Sequence, residues 1–87
     1  MATITFEQPF ANDAERVFAE NIKDLYEAAK PSDCRALARA IRTLCAPSGV
    51  DMMIGCGGSH VWIHRSAEFV AGDHTNPNNI RWAIITD

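Results

Sequence analysis

The sequence has no apolar run approaching the roughly 20 residues of a membrane span, and no basic-then-apolar leader opens it. A membrane partner is therefore not expected. It also lacks a Cys-x-x-Cys pair and a helical His-x-x-x-His, the spacings that bring ligands to one zinc ion. Its one glycine-rich stretch, Gly55-Cys56-Gly57-Gly58, has no lysine, and no helix is expected after it, so it is not a phosphate cradle. Neither a cofactor nor a metal is expected. Internal repeats, linkers and low-complexity segments are missing as well.

Positive charge is in short supply. Eleven acids stand against eight bases, a net charge of −3, which argues against tight nonspecific nucleic-acid binding. Cysteine is scarce and odd in number, with three in all. Cys34 and Cys45 fall on one expected helix, about 16 Å apart along its axis, too far to bridge. Without a disulfide framework, a reducing, cytoplasmic setting is expected.

What remains is a compact globular composition, 87 residues with 47% hydrophobic and 22% charged. That length fits one domain, 1–87, with a core burying roughly 60–65% of the unfolded chain's surface. The charge is uneven. Residues 1–33 carry −4, residues 34–65 carry +3, and residues 66–87 carry −2. The basic middle keeps a local anion site open.

Residues 2–6 alternate and are β-branched, which predicts a strand with Ile4 and Phe6 inward. Asn12 is an N-cap, and Glu15 stands three residues on in a capping-box-like arrangement. Ala14, Val17, Phe18, Ile22, Leu25, Tyr26 and Ala29 then recur at helical spacing, predicting a helix over 13–29. Ser32 is the expected cap of a second helix, whose stripe is Cys34, Leu37, Ala38, Ile41, Leu44 and Cys45, stopped at Pro47-Ser48-Gly49. The period then becomes that of strands. Val50–Ile54 and His60–His64 flank a five-residue glycine loop and predict a hairpin. A short strand is expected over 68–71, turn chemistry over 72–79, and a last strand over 80–86.

The fold class is therefore α+β. We expect two layers, with an antiparallel sheet of about four strands in the order β-α-α-β-β-(β)-β and a helical hairpin on one face. The helices roof one side only, so the other side of the sheet has no cover within this scheme.

Two groups of residues bear on function. His60, Trp62 and His64 share one face of their strand, and Val61 and Ile63 share the other. With the aliphatics inward, a tryptophan flanked by two imidazoles lies on the uncovered face, with Arg65 and Arg81 at its rim, which is anchor chemistry for a protein interface. The inverse, with Trp62 in the core, differs by one slip of register. On a strand the two histidines stand about 13 Å apart, too far to share a metal. The second group, Arg35, Arg39 and Arg42, falls within about a 60° arc of the second helix and forms a basic ridge suited to phosphates or carboxylates. The bland alternative is that Glu20, Asp24 and Glu27 pair with these arginines. In the 72–79 loop, His74 and Asn76 are the side chains to follow.

The leading expectation is a small acidic intracellular protein-binding module that is not an enzyme, an inhibitor or adaptor of a larger macromolecular machine. It would dock through His60, Trp62, His64, Arg65 and Arg81, with homodimerisation through the open face or a sheet edge as one outcome. Phage-encoded inhibitors of bacterial defence, anti-CRISPR proteins included, share this size and charge, a likeness of class that no motif here carries. The first alternative is nucleic-acid binding through Arg35, Arg39, Arg42 and Arg65. The second is a small thiol-dependent enzyme, with Cys56 as nucleophile, His60, His64 or His74 as base, and Asp51 or Asp73 orienting it.

Overall fold

A computed structural model of the chain describes residues 3–29, 33–72 and 75–86. Strand β1 (Thr3–Phe6) is followed by helices α1 (Asp13–Ala29) and α2 (Cys34–Ser48). Strands β2 (Met52–Gly57) and β3 (His60–Arg65), a 3-10 turn at Ser66–Glu68, and strand β4 (Ala83–Thr86) complete it. The four strands form one antiparallel sheet in the order β1-β4-β3-β2. Both helices lie on one side of it. The shortest dimension of the molecule is 19 Å, which suits one helix layer on one sheet and leaves no room for a third.

Helix α1 starts as its sequence predicts. The Asn12 side chain accepts from the Glu15 N–H at 3.0 Å, and the Glu15 carboxylate reaches back to the Ala11 N–H at 2.9 Å. The buried positions are Glu15, Phe18, Ala19 and Ile22, an i, i+3, i+4, i+7 stripe. Val17, expected inward, is 39% exposed, because this stripe runs one position to its side. Helix α2 is capped by Asp33, whose carboxylate accepts from the Arg35 N–H at 2.8 Å. The expected cap, Ser32, lies outside the described residues. Pro47 sits within the last turn, and the helix ends at Gly49 with φ +79°, a conformation that glycine adopts without strain.

The hairpin is tighter than its glycines suggest. Gly55 and Gly57 are ladder residues opposite Trp62 and His60, and the turn is the two residues Gly58 and Ser59. Only Gly58, at φ +60°, needs the freedom of a missing side chain. The strand expected over 68–71 is absent. Its backbone is satisfied by one side chain instead, since Asn79 accepts from the Val70 N–H at 2.6 Å and donates to the Ala71 carbonyl at 3.1 Å. The place beside β3 that such a strand would take belongs to β4.

Between the layers lie Phe18, Ile22, Leu37, Ala38 and Ile41 from the helices, with Val61, Ile63, Ala83 and Ile85 from the sheet. Trp82 completes this core with no exposed surface, stacked on Phe18 at 5.6 Å and edge-on to Phe6 at 5.3 Å. Trp82 and Ala83 are consecutive and both fully buried. Both lie on the helix side, Trp82 against Phe18 and Ala83 opposite Ile63, which the alternation of a regular strand does not allow. The chain bends at Trp82, whose N–H still reaches the Ile63 carbonyl at 2.7 Å while Ala83 stands opposite Ile63. The strand expected over 80–86 is shortened to Ala83–Thr86 for that reason.

Candidate functional site

With Val61 and Ile63 buried under the helices, alternation puts His60, Trp62 and His64 on the far side of β3. Register places Ile84 of β4 beside Trp62, Thr5 of β1 beyond Ile84, and Gly55 of β2 on the other flank. Gly55 brings no side chain to that row. His60 stacks on Trp62 with ring centroids 5.6 Å apart and planes at 22°. Trp62 is neither buried nor fully exposed. One face of the sheet thus carries a stacked aromatic pair turned away from the core.

Beside it opens a groove of about 510 Å³, lined by Trp62, Glu7, Gln8, Asn76, Pro77 and Arg81 among others. That volume is within the range of pockets that hold small molecules or peptide side chains. Arg81 and Glu7 form a two-pronged pair across its wall, at 2.7 and 3.1 Å. The opposite wall is a braced loop. Asn76 accepts from the Asn78 N–H and donates to the Ala71 carbonyl, both at 3.0 Å. The Asn79 N–H returns to the Asn76 carbonyl at 2.9 Å. Asn76, a residue singled out in the sequence, is thus part of the loop's framework, and His74 lies outside the described residues.

Two expected members of the face are placed elsewhere. His64 is 2% exposed, covered by Phe69 and the backbone at Ile80. Its Nδ1 lies 3.0 Å from the Ile80 carbonyl, and Phe69 packs edge-on against the ring at 5.3 Å. A carbonyl only accepts, so Nδ1 carries the proton, and among the described residues Nε2 has no hydrogen-bond partner. The face is therefore half roofed by the chain's own loop, and the open half is centred on Trp62. Arg65 is not a rim residue. It shares parity with Val61 and Ile63, so it points to the helix side.

There the Arg65 guanidinium grips the Glu15 carboxylate with two contacts of 2.8 Å, and also reaches the Pro9 carbonyl and Glu68. Glu15 further accepts from the Trp82 indole N–H at 3.2 Å. The guanidinium holds the Glu15 carboxyl down to about 2 against the opposing effect of burial, with the Ala11 N–H assisting. Sequence reasoning gave Glu15 only its capping role. Its place in the buried i, i+3, i+4, i+7 stripe was the available signal.

The arginine ridge forms only in part. Arg35, Arg39 and Arg42 are all exposed on α2, but Arg42 donates to the Ile54 carbonyl at 2.8 Å, covering part of the open edge of β2. Arg35 and Arg39 make no ion pair among the described residues, and Glu20 pairs with Arg16 instead. Cys56 stands opposite Val61 and packs against the core, on the other face of the sheet from His60 and His64. The fold does not bring that thiol to either imidazole. Among the described residues, no group of three His, Cys, Asp or Glu side chains is placed to hold a metal ion, and no helix is long and apolar enough to cross a membrane.

No family model, no curated protein and no solved structure matches this chain.

Proposed function

We propose that the chain is a non-enzymatic protein-binding module, an inhibitor or adaptor that engages a larger partner through the Trp62 groove. The observation that carries this reading is the Trp62–His60 stack on the sheet face away from the helices, at the mouth of the groove. Tryptophan is the residue type most often found to dominate interface energetics. Here it is mounted on a central strand and held by its neighbour, so little side-chain entropy remains to be lost on binding. The groove's Glu7 and Arg81 neutralise each other, and Gln8 and Asn76 line it beside Trp62, which favours a partner segment of low net charge that offers polar groups to the groove and a flat face to the indole.

The test compares wild type with Trp62→Ala in capture from cell extract, followed by affinity measurement on the captured protein. The variant keeps its circular dichroism spectrum and loses about 2 kcal/mol of binding, roughly thirtyfold in Kd. Equal capture by both proteins overturns the reading. A second reading, anion or nucleic-acid binding on α2, is favoured by one observation, that Arg35 and Arg39 make no ion pair among the described residues.

A further inference from the structure

The three cysteines are free and half-buried, and two of them, Cys34 and Cys56, lie at the same end of the β2–β3 hairpin. Cys34 is the first residue of α2, and its thiol donates to the Gly58 carbonyl at 3.2 Å. Gly58 opens the turn of the β2–β3 hairpin, two residues past Cys56. The side chain of Cys56 faces the helices because Val61, directly opposite, does. The first turn of α2 therefore crosses the hairpin's turn end with the Cys34 and Cys56 side chains on the same side of the sheet, both packed against the core. Cys45 stands three helical turns away, its thiol donating to the Val50 carbonyl at 3.6 Å.

We propose that Cys34 and Cys56 form a dithiol site that is oxidised to an internal disulfide by small-molecule disulfides of the glutathione type. One protein thiol loses its proton and attacks a sulfur of the reagent, releasing one small thiolate and leaving a mixed disulfide. The second protein thiol loses its proton and attacks the protein-side sulfur, expelling the second small thiolate. The two protons end on the two thiolates released. The protein dithiol has lost two electrons, and the reagent has been reduced to two thiols.

Burial, and then the neighbouring Cys56, push the Cys34 thiol up from its ordinary value. The thiolate is the reacting form, so the exchange is slow at neutral pH and accelerates with alkalinity. The bridge ties the start of α2 to the hairpin and closes a ring of 22 residue steps. This inference is independent of the Trp62 groove, since both sulfurs lie on the other face of the sheet.

The test uses the whole chain, folded, treated with oxidised glutathione at mildly alkaline pH and quenched by alkylation. Peptide mapping then shows one internal Cys34–Cys56 bridge, with Cys45 alkylated. Cys45→Ser gives the same bridge. Ring closure from the mixed disulfide is at least tenfold faster in the native chain than in urea, because the fold already holds the two sulfurs together. A bridge that includes Cys45, a mixed adduct at Cys34 or Cys56 that never closes, or closure no faster folded than unfolded overturns the proposal. The map of the unsubstituted chain carries the test, so it does not depend on any cysteine variant folding.

Discussion

Glu15 and Arg65, fifty residues apart in the chain, meet in a two-pronged ion pair with both contacts at 2.8 Å. The pair joins the first turn of α1 to the end of β3, and the Trp82 indole N–H closes it from the core side. The carboxylate is 7% exposed and the guanidinium 20%, so solvent screens the pair little.

Arg65→Met leaves a buried carboxylate without its counter-charge. Chemical denaturation is expected to show a loss of about 3–5 kcal/mol, well beyond the median surface ion pair.

The same pair sets an acid limit. The Glu15 carboxyl is at about 2 in the folded chain against an ordinary 4.5, so the folded state favours the ionised form. That contribution is whole above pH 4.5, fades as pH falls towards 2, and is gone below it. It amounts to roughly 3 kcal/mol. Denaturant midpoints measured from pH 6 down to pH 2 should fall steeply in wild type and much less in Glu15→Gln.

The two tryptophans are expected to behave as opposites. Trp82→Ala removes a fully buried ring stacked on Phe18 and should cost about 3–5 kcal/mol. Trp62→Ala should cost on the order of 1 kcal/mol or less, because its ring stands outside the core. Acrylamide should quench the fluorescence of Trp82→Phe, which retains Trp62, far more strongly than that of Trp62→Phe.

His64 is the pin of the loop that walls the groove. His64→Ala removes the donor to the Ile80 carbonyl and the edge contact to Phe69, at about 2 kcal/mol. Limited proteolysis should show cleavage within 69–80 in the variant well before wild type is cut.

Nucleic-acid binding on α2 makes a quantitative demand. With Arg42 engaged by Ile54, two guanidiniums remain, and binding to duplex DNA should follow a log–log salt slope of about −2. Arg35→Ala with Arg39→Ala should abolish it. No binding at low salt removes this reading.

Much of the architecture could be read locally. Asn12 and Glu15 announced the start of α1, and the stripe Leu37, Ala38, Ile41 announced the inner face of α2. The alternation of Val61 and Ile63 against Trp62 split β3 into two faces, and only the register showed which of them meets the helices. What the chain order hides is non-local. The burial of His64 depends on where residues 66–80 travel, and that course is held by Asn79, whose two amide contacts to Val70 and Ala71 carry no periodic signal. Arg65 was misread, and Trp82 was not singled out, for one reason. Both have partners tens of residues away, and the bend at Trp82 breaks the alternation that makes strands legible. The placement of Cys34 beside the Cys56 end of the hairpin depends likewise on how α2 crosses it.

The strand order β1-β4-β3-β2 has a consequence for biosynthesis. Of the described elements β4 leaves the ribosome last, yet it fills an interior slot, with β1 on one flank and β3 on the other. Until then Thr3–Phe6 has nothing to pair with, and only the helices and one hairpin can organise. Assembly is thus a late, concerted event governed by contacts between strands about eighty residues apart in sequence, a topology associated with slower folding. A nascent chain stalled before residue 83 would expose β1 and the far edge of β3 together, two sticky ribbons in search of the same missing neighbour.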